Sequence, residues 1–306
     1  MKEKEFIDII KNIVGNEYIG DDCAFLKDLG IVVTQDSLVE GVHFLLNYTT
    51  PHQLGYKSVQ VNLSDIYASG GEPKYITISL SLPPKTNNDF IKDFYKGIKD
   101  ACGKNVKVIG GDITGAEKVF ISICAIGITK DRNISSRSNA KIGYKVITAG
   151  LHGSSAAGLK LLQENSIDYN NNFVKSHLIP IVQKEFANEI ALNIKEPYAM
   201  MDTSDGLMDA LSTIANESNV LFDIDFEKIP HDKELEKFKN WQNLVLFGGE
   251  DYGIVAAIPE KYNIKATTIG YVKEGLGVNL KINNKIIQYS KQNVENNIFN
   301  HFSKKD

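Results

Sequence analysis

The spacing of apolar and polar residues predicts alternating helices and strands along the chain. In the first half, residues 51–70 and 88–102 place apolar side chains at helical spacing, and residues 75–82 alternate as in a half-buried strand. Thr50 and Pro51 are residue types typical of a helix start. Short apolar runs predict the other strands of this half, at 31–34, 106–109 and 119–128.

A polar stretch at 130–143 separates this half from a second one, in which the pattern starts again. In the second half, a Gly-rich turn and helix are predicted at 150–164, and further helices at about 183–194 and from Leu207 to Ile214. Its predicted strands lie at 144–149, 244–247, 254–258 and 267–272. Because helices and strands alternate irregularly, we expect an α+β fold with α/β-like parts, divided at residue 137 into halves 1–137 and 138–306.

Composition and charge narrow the class of protein. The 306 residues are 42% apolar, which suggests about two domains with ordinary cores. A net charge of −4 and the lack of a long basic run argue against nucleic acid as a partner. No apolar run reaches membrane length and the N-terminus lacks a signal-peptide core, so no membrane association is expected. Three cysteines without metal or redox spacing predict a cytoplasmic protein.

Six acidic clusters beside small residues carry the clearest chemical signal. Glycine allows sharp turns and close approach of a ligand, and aspartate is a hard oxygen ligand of the kind that Mg²⁺ prefers. One such cluster is typical of an ordinary turn, but six on separate segments predict a Mg²⁺–polyphosphate site assembled from distant parts of the chain. The clusters are Gly20–Asp22, Thr34–Asp36, Asn62–Asp65, Gly110–Asp112, Asp202–Gly206 and Gly248–Asp251.

Other chemistries have weaker support in the sequence. Residues 153–158 resemble part of a P-loop, but the Leu159-Lys160 that follows breaks the Gly-Lys-Ser/Thr order, which favours a plain helix start. The sequence contains neither a Gly-x-Ser-x-Gly elbow nor a Gly-x-Gly-x-x-Gly fingerprint. The six histidines show no paired spacing for zinc. The sequence therefore favours Mg²⁺-dependent phosphate chemistry without a P-loop.

Taken in order, the clusters resemble the thiamine-monophosphate kinase family, a relative of aminoimidazole ribonucleotide synthetase and selenophosphate synthetase. The resemblance runs from near Gly20 to near Phe302, and its most specific segments are Val39–Phe44, Asn62–Asp65 and Phe299–Phe302. It implies ATP-dependent phosphorylation of thiamine monophosphate to thiamine diphosphate. It also implies an aminoimidazole ribonucleotide synthetase-like fold in two halves, whose N-terminal half contributes strands to a barrel shared by a homodimer.

The resemblance further implies roles for individual residues. The implied Mg²⁺ ligands are Asp22, Thr34, Asp36, Asp65, Asp112, Asp202 and Asp205. The implied ATP contacts are Tyr95, Gly111, Asp112, Arg137 and Ser204. The implied substrate contacts are His43, Glu250 or Asp251, and Phe299, whose ring would stack on thiamine monophosphate. Since the acceptor is itself a phosphate, no strong general base is expected, and the metal-binding aspartates would carry catalysis.

Several alternatives stay open at this point. Gln35, Ser154 and Asn300 depart from the family pattern, although all six core aspartates are present. The chain could be another ATP-dependent kinase or synthetase of the superfamily, or a nucleotide- or thiamine-phosphate-binding protein without turnover. Single residues also have ordinary structural explanations: Phe299 as a core residue, and Tyr95 as a residue of the helix at 88–102.

Overall fold

The strands form two sheets, one on each side of residue 137, in the computed structural model, which describes residues 3–164 and 168–299. The elements of the first half are α1 (Glu3–Val14), β1 (Ala24–Leu26), β2 (Ile31–Val39), α2 (Pro51–Ala68), β3 (Glu72–Leu82), α3 (Asn88–Cys102), β4 (Lys107–Gly115) and β5 (Phe120–Ile128). The mixed helix and strand content confirms the predicted fold class.

The second half begins after a short 3₁₀ turn at Arg137–Asn139. Its elements are β6 (Tyr144–Ala149), α4 (Ser154–Gln163), α5 (Asn172–Leu178), α6 (Lys184–Asn193), β7 (Ala199–Asp202), α7 (Leu207–Glu217), β8 (Leu221–Asp225), α8 (Trp241–Phe247), β9 (Ile254–Pro259), β10 (Thr267–Lys273), β11 (Gly277–Ile282), β12 (Lys285–Tyr289) and α9 (Lys291–Glu295). The sheet has the order β12-β11-β8-β10-β6-β9-β7. The turn and helix predicted at 150–164, the helix at 183–194 and the strand at 144–149 are confirmed.

The first sheet has the order β1-β2-β5-β3-β4 and two faces of different character. Asp36, Ile123 and Ile78 lie side by side in the register of β2, β5 and β3. Ile78 and Ile123 are fully buried and share a core with residues of α2, so this row faces α2. The next row, Ser37, Ser122, Ser79 and Asp112, faces the opposite side because side chains alternate along a strand.

Helix α2 is the central element of the first half. Thr50 accepts a hydrogen bond from the Gln53 N–H, and the Gln53 side chain accepts one from the Thr50 N–H, which completes a capping box ahead of Pro51. The apolar stripe that the sequence predicts for α2 is buried. Helix α3 lies so close that a Cβ at Gly97 would be 1.9 Å from the carbonyl oxygen of His52. Asp65 is therefore carried on a helix fixed on its other sides.

One apolar core joins the two halves. Val59 and Leu63 of α2 belong to the same buried cluster as Ile147 of β6, Met200 of β7 and Ile254 of β9. A second cluster lies between α7, α8 and the other side of the seven-stranded sheet. The shared core fixes the loops of the second half against α2 and β2. None of the helices in the described residues has the length and apolar character that a membrane crossing requires.

Three predicted elements are wrong in type or length. Residues 244–247 belong to helix α8, because Val245 and Leu246 bury their side chains in a helical turn that starts at Trp241. The strands predicted at 31–34 and 106–109 continue to Val39 and Gly115, since backbone pairing with β5 and β3 extends through the polar residues. Asp36 and Asp112 thus lie within strands and not in loops after them.

Candidate active site

A cavity of about 490 Å³ lies where β2 and α2 meet the loops of the second half. Residues from both halves line it, including seven of the fifteen site residues that the sequence predicts. Those among its lining residues are Asp36, His43, Asp65, Ser204, Asp205, Glu250 and Phe299. The cavity is therefore the candidate active site. Its acidic residues form two groups, called here the aspartate end (Asp36, Asp65 and Asp205) and the Glu250 end.

Three carboxylates converge beside this cavity. Asp22, Asp65 and Asp202 each place an oxygen within 4.8 Å of the others. They come from the loop before β1, from α2 and from the end of β7, three segments that only the folded chain brings together. Neutral hydroxyl groups orient two of them: Thr34 donates to Asp65 at 2.7 Å, and Ser64 donates to Asp202 at 2.6 Å.

The electrostatics of this cluster fit a hard cation. Burial and nearby carboxylates raise the pKa of Asp65 well above its usual range, and burial raises that of Asp202. Burial also raises the pKa of Asp22 to about 7, although Arg137 opposes the shift. Several buried carboxylates this close repel one another unless a cation lies among them. Oxygen donors in such an arrangement suit Mg²⁺.

Arg137 joins the Gly20–Asp22 loop to the start of the second half. Its guanidinium lies 2.6 Å from the Asp22 carboxylate and donates to the carbonyl oxygen of Gly20 at 3.1 Å. Its backbone N–H donates to Asp21 at 2.7 Å. Arg137 is thus not a solvated surface charge. It neutralises part of the carboxylate cluster and holds the loop that carries Asp22.

The loop that contains Glu250 has a strained backbone and packs against the Asp202–Gly206 loop. The Glu250 N–H donates to the carbonyl oxygen of Ser204 at 2.6 Å, and a Cβ at Gly249 would lie 2.7 Å from that oxygen. Glu250 and Tyr252 adopt positive φ angles of 64° and 50°, which are rare for residues with side chains. Such strain is common where a fold fixes functional groups.

The two neighbouring acids of this loop have different environments. Glu250 lines the cavity, and its carboxylate lies 3.1 Å from Lys57 Nζ and 3.3 Å from His177 Nδ1. Burial alone would raise the pKa of Glu250, but Lys57 and His177 outweigh it and lower the pKa. Asp251 instead accepts hydrogen bonds from the N–H groups of Gly153 and Ser155 at the start of α4.

This geometry separates the two alternatives left open for the substrate contact. Asp251 does not line the cavity, and it supplies the anion at the N-terminus of α4, the segment that resembles part of a P-loop. Burial raises the pKa of Asp251 to about 7, although these N–H donors oppose the shift. Glu250 is the acid that faces the cavity.

His43 and Phe299 lie on the cavity wall as the sequence predicts. The Val39 N–H donates to Nδ1 of His43 at 2.9 Å, which places the ring proton of the neutral form on Nε2. Phe299 is 54% exposed, which excludes a role as a core residue in this chain. The rest of the terminal motif, Asn300 to Phe302, lies outside the described residues.

Three predicted residues do not reach this site within one chain. Asp112 and Gly111 lie on β4, the edge strand, and Asp112 faces away from α2. Three strand spacings, roughly 14 Å, separate Asp112 from its row partner Ser37 on β2. A Cβ at Gly111 would lie 2.0 Å from the carbonyl oxygen of Ile78, so sheet packing requires a glycine at this position. Tyr95 packs edge-on against Phe94 within α3, outside the cavity lining.

Two residues of the site have no counterpart in the sequence prediction. Lys57 is buried in α2 on the same stripe as Leu54 and Val61, and a lysine within an apolar stripe is a signal that the sequence does offer. His177 is buried in α5, and its partner Glu250 is far away in the sequence. No spacing rule links two such residues before the fold is known.

Comparisons with known proteins give a consistent picture. Residues 20–129 match the family described as AIR synthase related protein, N-terminal domain. The chain is 37% identical over 286 residues to the thiamine-monophosphate kinase of Aquifex aeolicus (strain VF5), covering 89% of this chain and 92% of that one. The corresponding protein of Bacillus subtilis (strain 168) is 33% identical, with 93% of each chain covered. A solved structure described as AaThiL complexed with AMPPCP and TMP superposes with a TM-score of 0.87 at 35% identity, covering 98% of this chain and 97% of that one.

Proposed function

Because this chain belongs to the thiamine-monophosphate kinase family, we propose that it transfers the γ-phosphoryl group of ATP to the phosphate of thiamine monophosphate. The products are thiamine diphosphate and ADP. The observation that carries this proposal is a cavity that borders the aspartate cluster and whose wall also contains Glu250, His43 and Phe299. A phosphate donor and a phosphate-bearing ring compound need these two kinds of surface side by side.

The aspartate end suits Mg²⁺ and the phosphates of ATP. Asp22, Asp65 and Asp202 would hold the metal, with Asp36 and Asp205 on the adjoining cavity wall. When bound, Mg²⁺ supplies positive charge that offsets the charge on the phosphate oxygens. Thr34, Ser64 and Ser204 orient the carboxylates through hydrogen bonds, and Arg137 places a second positive group beside them.

The other end suits the thiamine part of the acceptor. Phe299 offers an exposed aromatic face for stacking, Glu250 a fixed carboxylate, and His43 an imidazole whose proton lies on Nε2. Phosphoryl transfer depends mainly on alignment and charge compensation. A cavity that holds both phosphates in line therefore accounts for the chemistry without a general base.

A kinase assay with parallel substrates tests this proposal. Purified protein with ATP and Mg²⁺ is offered thiamine, thiamine monophosphate and an aminoimidazole precursor, and ADP release and thiamine diphosphate are both measured. We expect thiamine diphosphate from thiamine monophosphate alone. ADP release with the aminoimidazole precursor would favour another enzyme of the superfamily, and ATP binding with no ADP release would favour a binding protein.

A homodimer belongs to the same proposal, together with a cytoplasmic location. All nine residues of the edge strand β4 are exposed, among them the apolar Val108, Ile109 and Ile113. An open edge of this kind is suited to cover by a second chain. Since Asp112 and Gly111 cannot reach the cavity of their own chain, we expect them to serve the metal and ATP site of the second copy.

Mixed dimers of two inactive variants test the shared site. Asp65→Asn and Asp112→Asn chains carry different tags and are expressed together, and dimers with both tags are purified. If Asp112 serves the other copy, one site of the mixed dimer is intact and activity returns to about half that of the wild type. If each chain used its own Asp112, both sites would carry a substitution and activity would not return.

A further inference from the structure

Lys57 occupies an unusual place for a lysine. Its side chain is 3% exposed, inside a helix whose neighbouring residues belong to the core. Burying an ammonium group is costly unless a partner compensates it, and Glu250 does so at 3.1 Å. Replacing a buried ion pair by apolar residues is often neutral or stabilising, so stability alone is a weak reason for this pair.

The partner of Lys57 is only partly buried and faces the cavity. The Glu250 side chain is 26% exposed, and its backbone is held at a positive φ by the contact with Ser204. Lys57 therefore fixes a carboxylate that is still open to a ligand. Glu250 lies in the cavity wall and Lys57 is buried next to it. This salt bridge therefore holds the negative charge of Glu250 where a ligand in the cavity can contact it.

His177 orients the second oxygen of the same carboxylate. Its Nδ1 lies 3.3 Å from Glu250 Oε2 and 3.0 Å from Ser155 Oγ. Because an ionised carboxylate only accepts, the neutral ring stabilises Glu250 in the tautomer that carries its proton on Nδ1. Burial and the nearby Lys57 lower the pKa of His177 to about 3, in keeping with a neutral ring. Each oxygen of Glu250 thus has one partner, Lys57 or His177, and lone pairs left for a ligand.

We infer that Lys57 is a positioning residue that, with His177, fixes the Glu250 carboxylate as the acceptor for the amino group of the substrate's aminopyrimidine ring. The inference rests on the proposed function, since it concerns how that cavity selects its acceptor. A fixed carboxylate accepts an N–H group and repels a carbonyl oxygen at the same place. Lys57 therefore determines substrate selectivity through Glu250 and does not touch the transferred phosphoryl group.

A double-mutant cycle tests this role. Lys57→Met, Glu250→Gln and the double variant are compared with the wild type for kcat and for the KM of each substrate. We expect each single change to raise the KM of thiamine monophosphate roughly ten- to hundredfold, with the KM of ATP changed by less than about twofold. In the Glu250→Gln background, Lys57→Met should have no further effect on this KM, because Lys57 acts through the Glu250 carboxylate and this variant lacks it.

Selectivity gives a second readout that a structural role would not move. The analogue of thiamine monophosphate with a carbonyl oxygen in place of the amino group should be rejected by the wild type and discriminated at least roughly tenfold less by Lys57→Met. Lys74→Met is the matched control, since Lys74 pairs with Glu72 at 2.6 Å on β3, away from the cavity lining. It should leave both the KM and the discrimination unchanged.

The outcomes separate the inference from the function on which it rests. A wild-type protein that does not phosphorylate thiamine monophosphate overturns the proposed function and this inference together. A normal wild type with additive effects in the cycle, equal rises in both KM values, or retained discrimination in Lys57→Met overturns the inference alone. If Lys57→Met does not fold, the neutral double variant replaces it, and a KM different from that of Glu250→Gln is the contradicting result.

Discussion

The two acidic ends of the cavity differ in what compensates their charge. At one end, Asp65 and Asp202 accept hydrogen bonds from neutral hydroxyls, and the pKa of each is raised, chiefly by burial. At the other end, Glu250 has the ammonium group of Lys57 at 3.1 Å and its pKa is lowered. Burial acts to raise the pKa at both ends, so burial alone does not account for the difference.

This contrast indicates what each end is prepared to bind. Carboxylates that repel one another in the bare protein gain most from a cation that arrives with the ligand. A carboxylate already paired behind its binding face is pre-organised and gains from a directed N–H donor. The first end is thus suited to a metal–phosphate complex, and the second to the organic part of the acceptor.

The largest effect is expected at the aspartate end. Asp65→Asn keeps the size of the side chain but removes a charge from the cluster, so turnover should fall by at least roughly a hundredfold through lost metal binding. Without metal the melting temperature should stay the same or rise, because repulsion is relieved. Turnover is measured across a Mg²⁺ titration, with the exposed Asp28→Asn as the control. Near-normal turnover of Asp65→Asn at low Mg²⁺ would show that this carboxylate is not a metal ligand.

A smaller effect is expected at the opposite end for Phe299→Ala. Loss of a stacked ring is worth about 1 kcal/mol, so the KM of thiamine monophosphate should rise roughly tenfold while that of ATP stays nearly constant. Because Phe299 is 54% exposed, the melting temperature should not change. Steady-state kinetics with each substrate varied in turn provide the measurement. Equal changes in both KM values would contradict an acceptor-side role.

The division of the cavity should also appear as a pH dependence of stabilisation by Mg²⁺. The folded-state pKa of Asp22 is about 7, above its unfolded value, so the metal-free fold holds this proton more tightly and loses stability as pH rises from about 4 to about 7. Mg²⁺ binds the ionised form. The rise in melting temperature on adding Mg²⁺ should therefore be a few degrees larger at about pH 8 than at about pH 5. Equal shifts at both pH values would contradict this.

The sequence predicts more of the aspartate end than of the Glu250 end. Acidic clusters beside glycines are local signals, and the clusters containing Asp22, Asp65 and Asp202 do converge. Lys57 and His177 were missed because their shared partner Glu250 is brought to them only by tertiary packing. A helix pattern predicts which residues of α2 are buried, but it does not predict what a buried lysine contacts.

The fold shows the same limit. Helices with caps and clear periodicity, such as α2 and α3, were predicted to within a few residues because capping and burial act locally. Whether Asp112 reaches the cavity depends on the order of the strands and on the face of the sheet that its row occupies. Both follow from the long-range pairing of β4 with β3. Alternation along a strand gives two faces without saying which one meets the helix.

The smallest effect on activity is expected for Asp251→Asn, the neighbour of Glu250. Asp251 is directed at the start of α4, so the KM of thiamine monophosphate should change by less than about twofold, against roughly tenfold or more for Glu250→Gln. The substitution should instead alter the pH dependence of stability. The folded-state pKa of Asp251 is about 7, above its unfolded value, so the wild type loses stability from this group as pH rises from about 4 to about 7. The variant lacks this loss, and its melting temperature relative to the wild type should increase between about pH 5 and about pH 8 in metal-free buffer. If Asp251→Asn raised the KM as much as Glu250→Gln does, both acids would contact the acceptor, and the separation of the two neighbours would be wrong.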